Sequence, residues 1–327
     1  MDSGVAAMKT GLVTLLAAMG IAFLPMASDA QAATKKRTAA VKKQTVAAKR
    51  SAMGAPVKVR ARHGHRAVAM DDQRDLAVQS ASALVLDQST GAVLYEKNPT
   101  AVVPIASITK LMTAMVALDA EPSLSEVLSI GDEDVDTLKG TRSRLKVGTH
   151  LSREEMLRLA LMSSENRAAS ALSRHYPGGR DAFVAAMNRK AHALGLSDTR
   201  FQDPTGLTAA NVSSARDLVK LVDAAQRYPL IREFSTSDER EVDVNGRPQM
   251  FRNTNSLVRS PTWEIGLSKT GYISEAGKCL VMQAWLAGKP TIIVLLDSLG
   301  KLTRIGDANR IKRWVESAGL ARPPSAG

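Results

Sequence analysis

Two early runs, Ser82-Ala83-Leu84-Val85-Leu86 and Ala92-Val93-Leu94-Tyr95, are rich in β-forming residues. Between them lies Asp87-Gln88-Ser89-Thr90-Gly91, a turn-rich stretch, so the pair predicts a hairpin. After Pro104 the apolar residues Ile108, Leu111, Met112, Met115, Val116 and Leu118 recur at three- and four-residue spacing, which predicts a buried helix over 107–120. Helical patterning dominates from about 121 to 230, including 153–173 and 181–194. Strand character returns at 265–272, 279–286 and 291–297, and Ala287-Gly288-Lys289-Pro290 joins the last two as a turn. A closing amphipathic helix over 305–318 carries Ile311, Trp314 and Val315.

The order strands, helices, strands, helix predicts an α+β fold. Its antiparallel sheet of about five strands takes its first and last strands from opposite ends of the chain. Helices flank the sheet, and a mostly helical subdomain is inserted between its two halves. The 327 residues, 44% of them hydrophobic, suffice for one large core or two modest ones, and no internal repeat is visible.

The first seventy residues change the picture in two ways. Residues 11–24 form an apolar run preceded by Lys9 and followed by Pro25 and small residues ending Ala30-Gln31-Ala32. This is the pattern of a secretory signal peptide over 1–32, and the run is shorter than the roughly 20 residues of a membrane-spanning helix. The charge order favours translation from Met8, since Asp2 precedes it and Lys9 follows. Residues 33–70 then carry eleven Lys and Arg and no acid. Residues 1–32 contribute −1, so +2 of the net +12 remains for 71–327. The stretch 33–78 reads as a basic linker unable to fold alone, with electrostatic contact to an anionic membrane face or wall polymer as its functional reading. Export makes the protein periplasmic, soluble or loosely held at membrane or wall, and nucleic acid is not an expected partner. Residues 321–327 form a short tail after the catalytic body at 79–320.

Three short motifs stand in order: Ser107-Ile108-Thr109-Lys110, Ser164-Glu165-Asn166 and Lys269-Thr270-Gly271. Alone each is weak; Ser-x-x-Lys arises by chance about once in a chain this long, and Lys9-Thr10-Gly11 repeats the third motif. Context makes the set specific. Ser107 and Lys110, three apart at a helix start, share one face, so Lys110 can act as base for the Ser107 hydroxyl if the site lowers its pKa. Lys269 is the candidate neighbouring cation. The Ser107 N–H, with that of Tyr272, is the candidate oxyanion hole. Ser164 is assigned a proton-relay role toward the leaving group, and Asn166 a role in binding substrate and orienting Lys110. Lys269 and Thr270 are candidates for binding a carboxylate, on a strand where Gly271 permits close approach of a ligand backbone.

Other chemistry is excluded. The acidic run Asp132-Glu133-Asp134-Val135-Asp136 lacks the glycine and closing glutamate of a calcium loop, with Thr137 and Ser143 at those places, and reads as a solvated turn. The histidines His63, His65, His150, His175 and His192 have no zinc spacing, so no metal and no cofactor is expected. The single cysteine, Cys279, reads as a buried inert thiol.

The motif set resembles the low-molecular-mass penicillin-binding proteins and class A β-lactamases. Further likeness to the former lies in Pro104-Ile105-Ala106, Leu161-Met162-Ser163, Asp203-Pro204-Thr205-Gly206-Leu207 and Ser214-Ala215-Arg216-Asp217-Leu218, over roughly 79–318. The stretches 107–115 and 163–169 are most similar to endopeptidase members of that family. The resemblance implies a β-lactamase/transpeptidase-like fold and a serine D-alanyl-D-alanine endopeptidase acting on peptidoglycan stem peptides and cross-links. It also implies an acyl-enzyme on Ser107, with β-lactams as covalent inhibitors. A carboxypeptidase is the alternative, although only 56 residues follow Gly271, which leaves little room for the C-terminal β domain common in those relatives. A β-lactamase would need a water-activating glutamate, for which Glu165 is poorly placed. A non-catalytic wall-binding module is the third alternative.

Overall fold

The computed structural model describes residues 76–320. The expected signal peptide, the expected start at Met8, almost all of the expected linker and the tail 321–327 lie outside the described residues.

The chain opens with the expected hairpin, β1 (Ser82–Asp87) and β2 (Val93–Lys97), followed by the short β3 (Val103–Pro104). A 3-10 turn over Ala106–Ile108 leads into α1 (Thr109–Asp119). The helical region contains β4 (Val127–Ser129) paired with β5 (His150–Ser152), then α2 (Arg153–Met162), α3 (Asn166–Arg174) and α4 (Gly179–Ala193). Next come β6 (Val212–Ser213), which pairs with β3, then α5 (Ala215–Ala225) and α6 (Pro229–Thr236). A hairpin of β7 (Glu239–Asp243) and β8 (Pro248–Arg252) precedes β9 (Ile265–Ile273), β10 (Gly277–Leu286), β11 (Lys289–Ser298) and α7 (Thr303–Leu320).

The main sheet has the order β2-β1-β11-β10-β9, antiparallel throughout. Thus β1 lies beside β11, with Ser82 opposite Leu296 and Asp87 opposite Thr291. Alternation along these strands divides two cores. Leu84, Val281, Ile292, Val294 and Leu296 face the helical subdomain. Ala83, Val85, Leu280, Met282, Ile293 and Leu295 face the other way, onto Ala308 and Ile311 of α7. Both faces are covered, which explains why these strands read as continuous apolar runs rather than alternating ones.

Helix α1 is the axis of the larger core: every residue from Thr109 to Ala117 is buried. Around it pack Met156, Leu159, Leu172, Phe183, Leu218 and Phe234 from the surrounding helices. The helix after Pro104 starts two residues later than its spacing predicts. Ala106 sits at φ +47, outside helical space, so Ser107 belongs to the tighter 3-10 turn. The predicted helix over 153–173 is broken at Ser163–Glu165, where Ser164 takes φ +62. The acidic run is not simply solvated, because Asp134 is buried and bonded to Arg174 at 2.8 Å.

Candidate active site

The three motifs meet where the 3-10 turn, the α2–α3 junction and edge strand β9 converge. In the 3-10 turn and the first turn of α1, Ser107 and Lys110 lie one above the other, and Lys110 Nζ is 2.9 Å from Ser107 Oγ. The Lys110 amine is fully buried. It also donates to Asn166 Oδ1 at 2.7 Å and to the Thr205 main-chain carbonyl at 2.6 Å. Burial brings its pKa down to about 7, against a smaller opposing pull from Asp203 and then Glu165. A neutral lysine amine has two hydrogens and one lone pair. Asn166 Oδ1 and the Thr205 carbonyl can only accept, so they take the two hydrogens and leave the lone pair facing Ser107 Oγ.

A second buried lysine stands alongside. Lys269, 1% exposed on β9, donates to Ser164 Oγ at 2.9 Å and to the Thr270 carbonyl at 3.0 Å. Burial, then the charges of Lys110 and Arg304, hold its pKa well below the ordinary lysine value. Each of these two desolvated amines therefore disfavours the charged form of the other. Ser164 reaches Lys269 because its left-handed backbone turns the chain between α2 and α3, a conformation that costs about 1 kcal/mol or more in a residue with a side chain. Neither Ser164 nor Asn166 caps a helix: the N-cap of α3 is Glu165, and its side chain makes no capping bond. Glu165 instead accepts from Ser143 Oγ at 2.6 Å and lies near Arg144.

Gly271 carries the contact between sheet and nucleophile. A Cβ there would come 2.8 Å from the Ile105 carbonyl and 3.2 Å from Ser107 N, so only glycine lets β9 approach this closely. Thr270 Oγ1 donates to Thr254 Oγ1 at 2.6 Å, and Thr254 N bonds the Met162 carbonyl at the end of α2. The Tyr272 side chain is 59% exposed, with the Lys278 amine 3.8 Å from the centre of its ring. Among the described residues, no group of three or more His, Cys, Asp or Glu side chains is placed to hold a metal ion.

Residues 68–300 match the family described as D-alanyl-D-alanine carboxypeptidase, peptidase S11. The chain belongs to this family. It is 52% identical over 257 residues to a D-alanyl-D-alanine endopeptidase of Pseudomonas aeruginosa, covering 78% of this chain and 82% of that one. It is 47% identical over 252 residues to the enzyme of the same name from Escherichia coli, covering 76% and 81%. Among solved structures it is similar to the Streptomyces K15 DD-transpeptidase, with a TM-score of 0.68 at 27% identity, covering 73% of this chain and 98% of that one. The β-lactamase/transpeptidase-like architecture expected from the motifs is thereby borne out, and the chain is a serine hydrolase of the S11 family.

Within this S11 site the structure adds residues that the motif reading did not single out. Arg304, near the start of α7, donates to the Gly271 carbonyl at 2.9 Å, and burial lowers its pKa. Thr141 Oγ1 accepts from Asn166 Nδ2 at 3.1 Å. The Thr141 loop is held by Asp136, which accepts from the main-chain N–H groups of Leu138, Lys139 and Thr141. From the same loop Lys139 pairs with Glu275, at the turn between β9 and β10. The Thr205 carbonyl belongs to Asp203-Pro204-Thr205-Gly206, a motif that family likeness marked without giving it a task.

Proposed function

We propose that the protein is a serine D-alanyl-D-alanine endopeptidase that cleaves peptidoglycan cross-links through an acyl-enzyme on Ser107. The observation that carries this reading is the buried Lys110 amine, tied to two acceptors and directed at Ser107 Oγ. Ser107 Oγ attacks the D-alanyl carbonyl carbon while its proton passes to Lys110 Nζ. The N–H groups of Ser107 and Tyr272 receive the oxyanion. Ser164, bonded to Lys269, relays the proton to the departing amine, which leaves as the acceptor strand. Water, deprotonated by Lys110, then attacks the ester and frees Ser107. Lys269, Thr270 and Arg304 hold the substrate carboxylate, and extended substrate pairs along the free edge of β9.

The two relatives named endopeptidases support this choice of bond. The family description favours a second reading, a carboxypeptidase that trims stem peptides. Glu165 counts against a β-lactamase, because its carboxylate accepts from Ser143 Oγ and lies beside Arg144. β-Lactams acylate the same serine. Export to the periplasm and a wall or membrane contact by residues 33–70 complete the proposal, supported by the leader pattern and the basic run. Digestion of purified muropeptides, read by mass, tests the reaction: cross-linked dimers fall to monomers for an endopeptidase, whereas loss of one alanine makes the protein a carboxypeptidase. Ser107→Ala abolishes labelling by a fluorescent penicillin, and persistent labelling refutes the nucleophile.

A further inference from the structure

Asp203 is buried, touches neither Ser107 nor Lys110 directly, and is packed with donors. Its Oδ1 accepts from Thr205 N at 2.5 Å, Thr205 Oγ1 at 2.7 Å and Gly206 N at 2.6 Å, and its Oδ2 accepts from Thr208 N at 2.9 Å. These bonds curl residues 203–208 around one carboxylate and fix which way the intervening carbonyls point. The Pro204 carbonyl accepts from Thr113 Oγ1 at 2.6 Å, and the Thr205 carbonyl accepts from Lys110. Gly206, at φ +80, lies so close to the Ala106 carbonyl that any Cβ would overlap it. The same loop therefore braces the strained turn before Ser107 and supplies one of the two acceptors of the lysine. Asn211 closes the arrangement, donating to Thr109 Oγ1 at 3.0 Å and to the Asp203 carbonyl at 2.9 Å.

We propose that Asp203 is a positioning residue for the general base, acting through the Thr205 carbonyl to set the direction of the Lys110 lone pair. The proposal rests on Lys110 being the base for Ser107. The charged groups facing Lys110 are Asp203 on this loop, Glu165 at the α2–α3 junction and Lys269 on β9, with Arg304 behind Lys269. The two carboxylates favour the protonated amine, and Lys269 opposes it. Neutralising Asp203 therefore lets Lys110 lose its proton at lower pH.

The test is the rate of acylation by a fluorescent penicillin, followed across the acid limb of its pH profile for wild type, Asp203→Asn and Thr205→Val, with thermal melting to verify folding. Wild type rises with pH as Lys110 deprotonates. Asp203→Asn is slower on the plateau by about tenfold, the scale of a weakened hydrogen bond to the reacting amine. Its limb lies at lower pH, so its deficit narrows as pH falls. Thr205→Val keeps the carboxylate and loses one bond to it, and is slower by about three- to tenfold with the limb in place. A merely structural Asp203 gives a deficit constant with pH, and that result overturns the proposal. If Asp203→Asn does not fold, Thr205→Val decides alone: acylation at the wild-type rate overturns the positioning role. A wild-type profile with no acid limb refutes the general-base reading itself, whereas a wild-type limb that Asp203→Asn leaves unmoved refutes only the role of Asp203.

Discussion

Replacing Lys110 with methionine should change how stability depends on pH, not only whether the protein reacts. The Lys110 pKa is about 7 in the folded protein against an ordinary 10.5. The folded value lies below the unfolded one, so between them the unfolded chain holds a proton that the folded chain has released. Raising the pH therefore favours folding. The penalty for burying this lysine is whole below about pH 7, shrinks above it, and is gone beyond the ordinary lysine pKa. A gap of about 3.5 units at about 1.4 kcal/mol per unit makes the full penalty about 5 kcal/mol. Between about pH 6 and pH 9 the wild type recovers about 3 kcal/mol of it. Lys110→Met has no such group, and it relieves Lys269 of a like charge, which widens the difference in the same direction. Urea unfolding of both proteins at a series of pH values measures it: the free-energy curves converge or cross as pH rises, with the wild type gaining on the variant. Parallel curves would mean that Lys110 stays charged throughout, and the base assignment would fall with them.

Gly271→Ala forces β9 away from Ile105 and Ser107, and penicillin acylation should drop about 100-fold, the cost of displacing reacting groups by an ångström or so; near-normal acylation would show that the close approach is dispensable. Arg304→Ala should raise KM for donors bearing a free carboxylate by about tenfold or more, the scale of a charge-assisted bond, and leave kcat nearly unchanged. An unaltered KM would remove Arg304 from substrate binding. Burial pushes the Cys279 thiol up to about 11, so a thiol reagent at neutral pH should modify it only as fast as the protein unfolds; rapid labelling of the folded protein contradicts this.

The sheet strands and α1 were legible because their hydrophobic residues are contiguous and local. The positions of Ser107, Lys110, Ser164, Asn166 and Lys269 could be anticipated as a set because each motif is short, although their meeting depends on tertiary packing. Local periodicity did not reveal the left-handed turns at Ala106 and Ser164, since neither is a glycine and only the surrounding packing enforces them. The exposed hairpin β7–β8 has little apolar alternation and passed unread. Arg304 and the Thr205 carbonyl were hidden for a different reason. One is a basic residue near a helix start that returns to a strand 33 residues earlier, and the other is a backbone atom 95 residues from the lysine it meets. A carbonyl leaves no trace in the amino-acid code.

The pairing of β1 with β11 also governs when the enzyme can exist. A ribosome that has reached residue 286 has made all three motifs, yet β1 and β10 still lack the strand that joins them. A nascent or truncated chain of that length carries Ser107 and both lysines and has the hairpins β1–β2 and β9–β10, but not the strand that joins them. Assembly waits for almost the last residues described, and closing so long a loop makes folding slow. In a hydrolase built this way the sheet beside the site is completed only when the chain is nearly finished, because its central joining strand is its last.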